Sequence, residues 1–204
     1  MQKELNKSSN YKKTQTMRKA SREDKNIAVH ILSKSFINDP HMNWLLEKSK
    51  NENRLEITVE YIFEESLARG AVYINDDNTA VALWNTEKKE TVSLQYVARN
   101  LSFLFRVGLR TTIRCLKTDK LIYDQYPKTA YCQLYSIGVL PENRRTGLAS
   151  ALMNSMIENM EKESIPMYLE TANRENVEIY KKKGFRIFKI LLLKNHTLYC
   201  MNRK

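Results

Sequence analysis

Apolar positions along this chain alternate between two periods, and the switch between them divides it into elements. From Leu148, two rows recur at helical spacing, Leu148, Leu152, Met156 and Met160 beside Ala149, Met153 and Ile157. They form the buried face of an amphipathic helix. Just before it, Tyr131 to Leu140 is a mostly apolar or aromatic run bounded by Pro141, the pattern of a strand buried on both faces. Leu55, Val59, Ile62, Phe63 and Leu67 predict a helix over Asn51–Arg69, with Gly70 as its terminator. Ile27, Ile31, Leu32 and Phe36 predict an earlier helix. Ser21 stands at its N-cap, Asp24 is placed as a capping-box acid, and the helix stops before Asp39-Pro40. Gln15–Ala20 reads as a short first strand. Ala71–Asn75 and Thr79–Trp84 read as a hairpin, and Met167–Ala172 as a further strand. Phe185–Leu193 and His196–Met201 supply two more strands, turning near Asn195.

Thr91–Lys120 carries two readings. Leu94, Val97, Leu101, Leu104, Val107 and Leu109 recur at roughly helical spacing, with Arg99, Arg106, Arg110, Arg114 and Lys117 among them. One reading is a basic amphipathic surface for lipid or nucleic acid. The other, which we adopt, is one or two helices packed on the sheet, with a break near Gly108.

The 204 residues fit one domain, and no repeat, Pro/Gly-rich linker or low-complexity segment divides them. Residues 1–14 are polar and Lys-rich and read as a loose basic tail, leaving 15–204 for the domain. Hydrophobic content of 42% and charged content of 28% are ordinary for a globular protein. No uncharged apolar run approaches the roughly 20 residues that span a bilayer, and the start MQKELNKSSN has no signal-peptide core. The expectation is a cytoplasmic protein without a membrane partner. Cys115, Cys132 and Cys200 are widely spaced, as are His30, His41 and His196. Neither set has metal-ligand spacing, so no metal is expected. A formal charge of +11 favours an anionic partner: nucleic acid, membrane or an anionic cofactor.

Between the central strand and helix lies Arg144-Arg-Thr-Gly147-Leu-Ala149. A helix N-terminus presents unpaired N–H groups and a positive dipole end, and so attracts phosphate. Gly147 lets the backbone approach a bulky anion, Ala149 keeps the way open, and Arg144 and Arg145 add charge at the rim. The simpler alternative is an ordinary strand-to-helix turn on a basic surface.

Further on comes Asn173-Arg-Glu-Asn176-Val-Glu-Ile-Tyr180-Lys-Lys-Lys-Gly184-Phe185. With Ile137-Gly-Val139 and the Arg144–Ala149 loop, this block resembles the GNAT superfamily of acetyl-CoA-dependent N-acetyltransferases over residues 131–186. Phe36-Ile-Asn-Asp-Pro40, Trp44 and Val81-Ala-Leu-Trp84 look like the branch containing puromycin acetyltransferase. The resemblance implies an α/β fold, a mixed, mostly antiparallel twisted sheet of about seven strands with helices on both faces. It also implies acetyl-CoA as co-substrate and an amine acceptor on a small molecule or peptide. Ile137, Gly138 and Val139 would pair with the pantetheine arm. The amides from Arg145 to Ser150, Thr146 included, would hold the pyrophosphate, with the Ser150 hydroxyl as an extra donor. Position 145 is commonly glycine in the family, and Arg145 would be strained there if the loop needs positive φ.

Tyr180 matches the family's tyrosine acid, where by itself it would read as core. Asn176 either bonds the pantetheine or caps its helix. Glu170, near the end of its strand and facing the same side as Tyr168, either takes the amine proton or forms a surface ion pair. Two other functions compete: a basic nucleic-acid-binding module, and a CoA-binding sensor without catalysis. Against the first, no helix-turn-helix or zinc spacing is present and the aromatics form no compact single-strand-binding motif. Hence no nucleic-acid partner is expected, and the chain is expected to be a monomer or homodimer.

Overall fold

The computed structural model describes residues 17–47, 53–86 and 91–204; the tail expected over 1–14 lies outside them. In chain order the elements are β1 (Met17–Lys19), α1 (Lys25–Phe36), α2 (Pro40–Leu45), α3 (Asn53–Arg69), β2 (Gly70–Asn75), β3 (Ala80–Thr86), α4 (Leu94–Val107) and α5 (Leu109–Tyr123). Then follow β4 (Cys132–Val139), α6 (Leu148–Lys162), β5 (Met167–Thr171), α7 (Arg174–Lys182), β6 (Arg186–Leu193) and β7 (His196–Arg203).

The strands form one seven-stranded sheet in the order β1-β2-β3-β4-β5-β7-β6. Every pairing is antiparallel except β4–β5, which is parallel. Alternation along β3 divides the core. Val81 and Leu83 face α1 and α3, where they pack with Ile31, Leu32, Val59 and Phe63. Ala80, Ala82 and Trp84 face α6 and α7, beside Leu152, Met153, Val177 and Tyr180. Helices thus cover both faces, as the period-2 pattern of a doubly buried strand requires.

Local chemistry opens the helices where the sequence places the signals. Ser21 Oγ accepts from the Glu23 amide at 3.2 Å, and Asp24 accepts from the Ser21 amide at 2.8 Å. The first turn there is 3₁₀, over Arg22–Asp24. The same Asp24 carboxylate takes two hydrogen bonds from Arg18 at 2.8 and 2.6 Å, tying β1 to the helix start. Asp39, a stop signal for α1, also starts α2: its carboxylate accepts from the Met42 amide at 2.9 Å, with Pro40 in the first turn.

The Thr91–Lys120 segment forms two helices, α4 and α5, broken at Gly108 as expected. The apolar stripe read from its sequence is largely turned outward, which corrects the expected burial. Leu94 is 86% exposed and Leu109 63%, while Phe103, Val107 and Ile122 are buried. Phe103 and Val107 cluster with Ile57 of α3, and Ile122 with Tyr168 of β5 and Leu198 of β7, so α4 packs on α3 and the end of α5 on the sheet. The arginines pair with acids: Arg106 with Glu60 at 2.8 Å, Arg110 with Glu47 at 3.2 Å, and Arg114 with Glu47.

Candidate active site

The site begins where β4 and β5 part. Their parallel register runs from Cys132–Met167 to Leu134–Leu169 and ends there. Beyond that point β4 continues against β3 as far as Val139–Ala80, while β5 continues against β7 to Thr171–Tyr199. Residues 135–139 of β4 therefore have a strand on one side only. An open strand edge of this kind can accept an extended chain as an added strand. A bulge marks the parting: Leu83 pairs with Ser136 and Trp84 with Leu134, leaving Tyr135 as the extra residue.

A cavity of about 400 Å³ runs through this gap, within the size range of small-molecule sites. Ile62 of α3, Phe103 of α4 and Asp119 of α5 line it from one side of the sheet, and Asn176 and Tyr180 of α7 from the other. Ile137 and Glu170 line it at the strands. Tertiary structure thus brings together four expected site residues, Ile137, Glu170, Asn176 and Tyr180. Gly138, Val139 and residues 144–150 do not line the cavity; they lie further along β4 and on the turn that follows.

That turn has the form its sequence requires. Gly147 sits at φ 90°, in the left-handed region, as the N-cap of α6, and no side chain caps the helix. A β-carbon at Gly147 would meet nothing within 4 Å. The space beside the free amides at the start of α6 is therefore open, and Ala149 and Ser150 are half-buried in the first turn. Arg145 adopts φ 64° without being glycine, a conformation that costs a side-chain-bearing residue about 1–2 kcal/mol. Thr146 Oγ1 braces the turn by donating to the Asn143 carbonyl at 2.6 Å. Arg144 donates to the Ser35 carbonyl at 3.3 Å, anchoring the turn to the last turn of α1. Open backbone amides, an uncapped helix start and a one-sided strand fit a long ligand with phosphates at one end and an amide-bearing arm at the other.

At two residues the contacts remove the purely structural alternative. Asn173, and not Asn176, caps α7, accepting from the Glu175 amide at 2.9 Å; Asn176 faces the cavity. Among the described residues Glu170 forms no surface ion pair. Its carboxylate accepts from the Tyr126 hydroxyl and, at 3.0 Å, from Gln133 Nε2. Burial pushes the Glu170 carboxyl up to about 7, against the pull of these two hydrogen bonds. Tyr180 is 7% exposed and packs edge-on to Phe185, ring centroids 6.2 Å apart. Burial, with the Asp39 charge behind it, pushes its hydroxyl up to about 12.

Sequence reasoning missed several groups because they meet only in three dimensions. Tyr126 and Gln133 hold Glu170, and Asp119 lines the same cavity from α5. His41 and His196 meet at 2.9 Å across 155 positions of chain, beside Trp44. Burial and the His196 charge hold His41 down to about 3, so it is neutral at ordinary pH. Among the described residues no group of three or more His, Cys, Asp or Glu is placed to hold a metal ion, and no helix is long and apolar enough to cross a membrane.

This layout is shared by several solved acetyltransferases. Residues 108–188 match the family model described as Acetyltransferase (GNAT) domain. Similar solved structures span nearly the whole of the chain. One is titled histone acetyltransferase HPA2 and related acetyltransferase, from Corynebacterium glutamicum; it is 20% identical, with a TM-score of 0.67 over 93% of this chain and 95% of that one. Arylalkylamine N-acetyltransferase 2 from Aedes aegypti is 13% identical, with a TM-score of 0.62 over 93% and 98%. The ribosomal-protein-S18-alanine N-acetyltransferase from Escherichia coli is 16% identical, with a TM-score of 0.54 over 92% of each chain.

Proposed function

We propose that this chain is an N-acetyltransferase that moves an acetyl group from acetyl-CoA to the amine of a small molecule or peptide. The observation that carries the reading is the cavity at the β4–β5 parting, which Tyr180 and Glu170 line together beside the open edge of Ile137–Val139. The amides of Ile137–Val139 serve the pantetheine arm, and the start of α6, from Arg145 to Ser150, serves the pyrophosphate. Acetyl-CoA supplies an activated carbonyl on a good leaving group. The residues supply position and protons.

Glu170 takes a proton from the amine as the new C–N bond forms. Its carboxyl is held near 7, so a working fraction is ionised at neutral pH, close to the best balance for a general base. Tyr180 gives its phenolic proton to the sulfur as the C–S bond breaks. Its hydroxyl, held near 12, stays protonated throughout the working range. Glu170 then returns its proton through solvent while Tyr180 regains one, and the site is reset. Asn176, on the cavity wall, is assigned to the pantetheine arm. The likeness to the puromycin branch suggests where the acceptor enters: its Phe36–Trp44 segment runs from the end of α1 through α2 and reaches the cavity at Phe36, Asp39, His41 and Met42.

The test is acetyl-CoA-dependent thiol release across amines, antibiotics and peptides, with a thermal-shift assay for acetyl-CoA alongside. Turnover with at least one amine and a rise in Tm with acetyl-CoA are expected. Sequence-selective nucleic-acid binding with no acetyl-CoA effect would overturn the reading.

A further inference from the structure

The chain is strongly basic, with a formal charge of +11, yet among the described residues neither lysine nor arginine lines the cavity. Its charged lining residues are Asp39, Asp119 and Glu170, and the one histidine, His41, is held neutral. Asp39 is used in capping α2, and Glu170 is bonded to Tyr126 and Gln133. Asp119 is different.

Asp119 projects from α5 on the helical row that also brings Thr112, Cys115 and Tyr123 to the cavity, and it is the only charged residue in that row. Its carboxylate lies deep, and among the described residues it forms no hydrogen bond or ion pair. Arg69, the cation whose charge reaches it, is engaged with Glu65 at 2.6 Å and with the Thr86 carbonyl at 3.3 Å. A deep carboxylate without a partner is costly to keep ionised. Burial and the charges of Glu65 and Glu170 push it up to about 7. A bound cation would supply the missing partner. Around it, Tyr135 adds aromatic surface suited to a cation and its methylene chain, Tyr61 and Tyr123 already carrying Arg99 and Arg69 over their rings at 5.3 and 5.8 Å, and Ile62, Phe103 and Leu116 extend the apolar wall.

We propose that the acceptor is a diamine or similarly doubly cationic amine with an apolar body. Its reacting nitrogen lies at Glu170, and its second, unreactive cation is held by Asp119. This deepens the acetyltransferase reading and rests on it. The acid-only lining also disfavours acceptors whose far end is a carboxylate.

The test uses three amines of one length that differ only at the far end: hexamethylenediamine, hexylamine and aminocaproic acid. Each is assayed by acetyl-CoA-dependent thiol release and by thermal shift, with the parent and with Asp119→Asn. The parent is expected to prefer the diamine, then hexylamine, then aminocaproic acid. Asp119→Asn should lower kcat/KM for the diamine roughly ten- to hundredfold, mainly through KM, as befits one charge-assisted hydrogen bond. It should leave hexylamine unchanged and abolish the diamine's thermal shift. Equal use of all three by the parent, or an equal loss on diamine and hexylamine in the variant, overturns the cation site while leaving the acetyltransferase reading intact. A diamine shift that depends on Asp119 without any thiol release upholds the cation site and counts against acetyl transfer. Neither shift nor release overturns both.

Discussion

The Tyr126 hydroxyl donates a hydrogen bond to the Glu170 carboxylate, joining the loop after α5 to the end of strand β5. With Gln133 on its other oxygen, Glu170 has a fixed orientation in a buried place, and burial holds its carboxyl near 7. A base works only when ionised, so kcat should rise with pH through about 7 and then level off, because Tyr180 keeps its proton until about 12. In Glu170→Gln the rate should fall and the limb near 7 should disappear. A limb that persists in the folded variant would move the base role elsewhere.

Tyr180→Phe tests the acid. The leaving thiol has a pKa near 8.5, so it departs tolerably without help, and the loss in kcat should be near the low end of general-acid effects, about hundredfold. Acetyl-CoA affinity should barely change, since only a hydroxyl is removed from a ring that stays packed on Phe185. Full activity in a folded Tyr180→Phe would exclude it as the proton donor.

Gly147→Glu should abolish acetyl-CoA binding, measured by calorimetry, while leaving most of the fold in place. A β-carbon there meets no neighbour, so the cost to the fold is backbone strain at φ 90°, about 1–2 kcal/mol. The new carboxylate would stand where the pyrophosphate approaches. Unchanged affinity in a folded variant would show that the phosphates bind elsewhere.

Asp119 gives a stability prediction with a definite sign. Its carboxyl is raised from 3.8 to about 7 in the fold, by burial first and by Glu65 and Glu170 next. Below about pH 4 both folded and unfolded forms are protonated and nothing is lost. As pH rises toward 7 the unfolded chain ionises first, so the folded state loses stability over that window. Asp119→Asn should therefore match the parent's Tm near the acid end and exceed it by a few degrees above pH 7, about 2–4 °C per kcal/mol at this chain size. An equal loss at both ends would mean that Asp119 is a structural acceptor.

Gly138→Ala tests the contact that seats α1 on β4. A β-carbon at Gly138 would lie 2.8 Å from Ser35 Oγ and 3.1 Å from Leu32 Cδ2, while Ser35 itself donates to the Val139 carbonyl at 3.0 Å. Overpacking of this kind costs ~1–3 kcal/mol and would shift the strand edge proposed for the pantetheine arm. Thermal denaturation should show the loss, and KM for acetyl-CoA should rise with it. A variant as stable as the parent would mean that α1 yields freely at this point.

Local patterns determined most of what the sequence shows by itself. The helical rows of α6, the doubly buried run of β4, the capping box at Ser21 and Asp24 and the break at Gly108 all depend on residues within a few positions of one another. Their physics is complete at that range. The turn from Arg144 to Ala149 was legible for the same reason, since a strand end, a glycine and a helix start are adjacent in the chain. Only tertiary structure decided which face of α4 and α5 turns inward, because Leu94 and Phe103 are comparably apolar and the choice depends on what α3 offers opposite them. It alone decided that β4 and β5 part after Leu134, since a lost pairing belongs to two strands and is written in neither. Tyr126 and Gln133 meet Glu170, Asp119 comes to the same cavity, and His41 meets His196, for the same reason. A deep carboxylate or a neutral histidine is made by its surroundings, and those surroundings come from parts of the chain far apart in sequence.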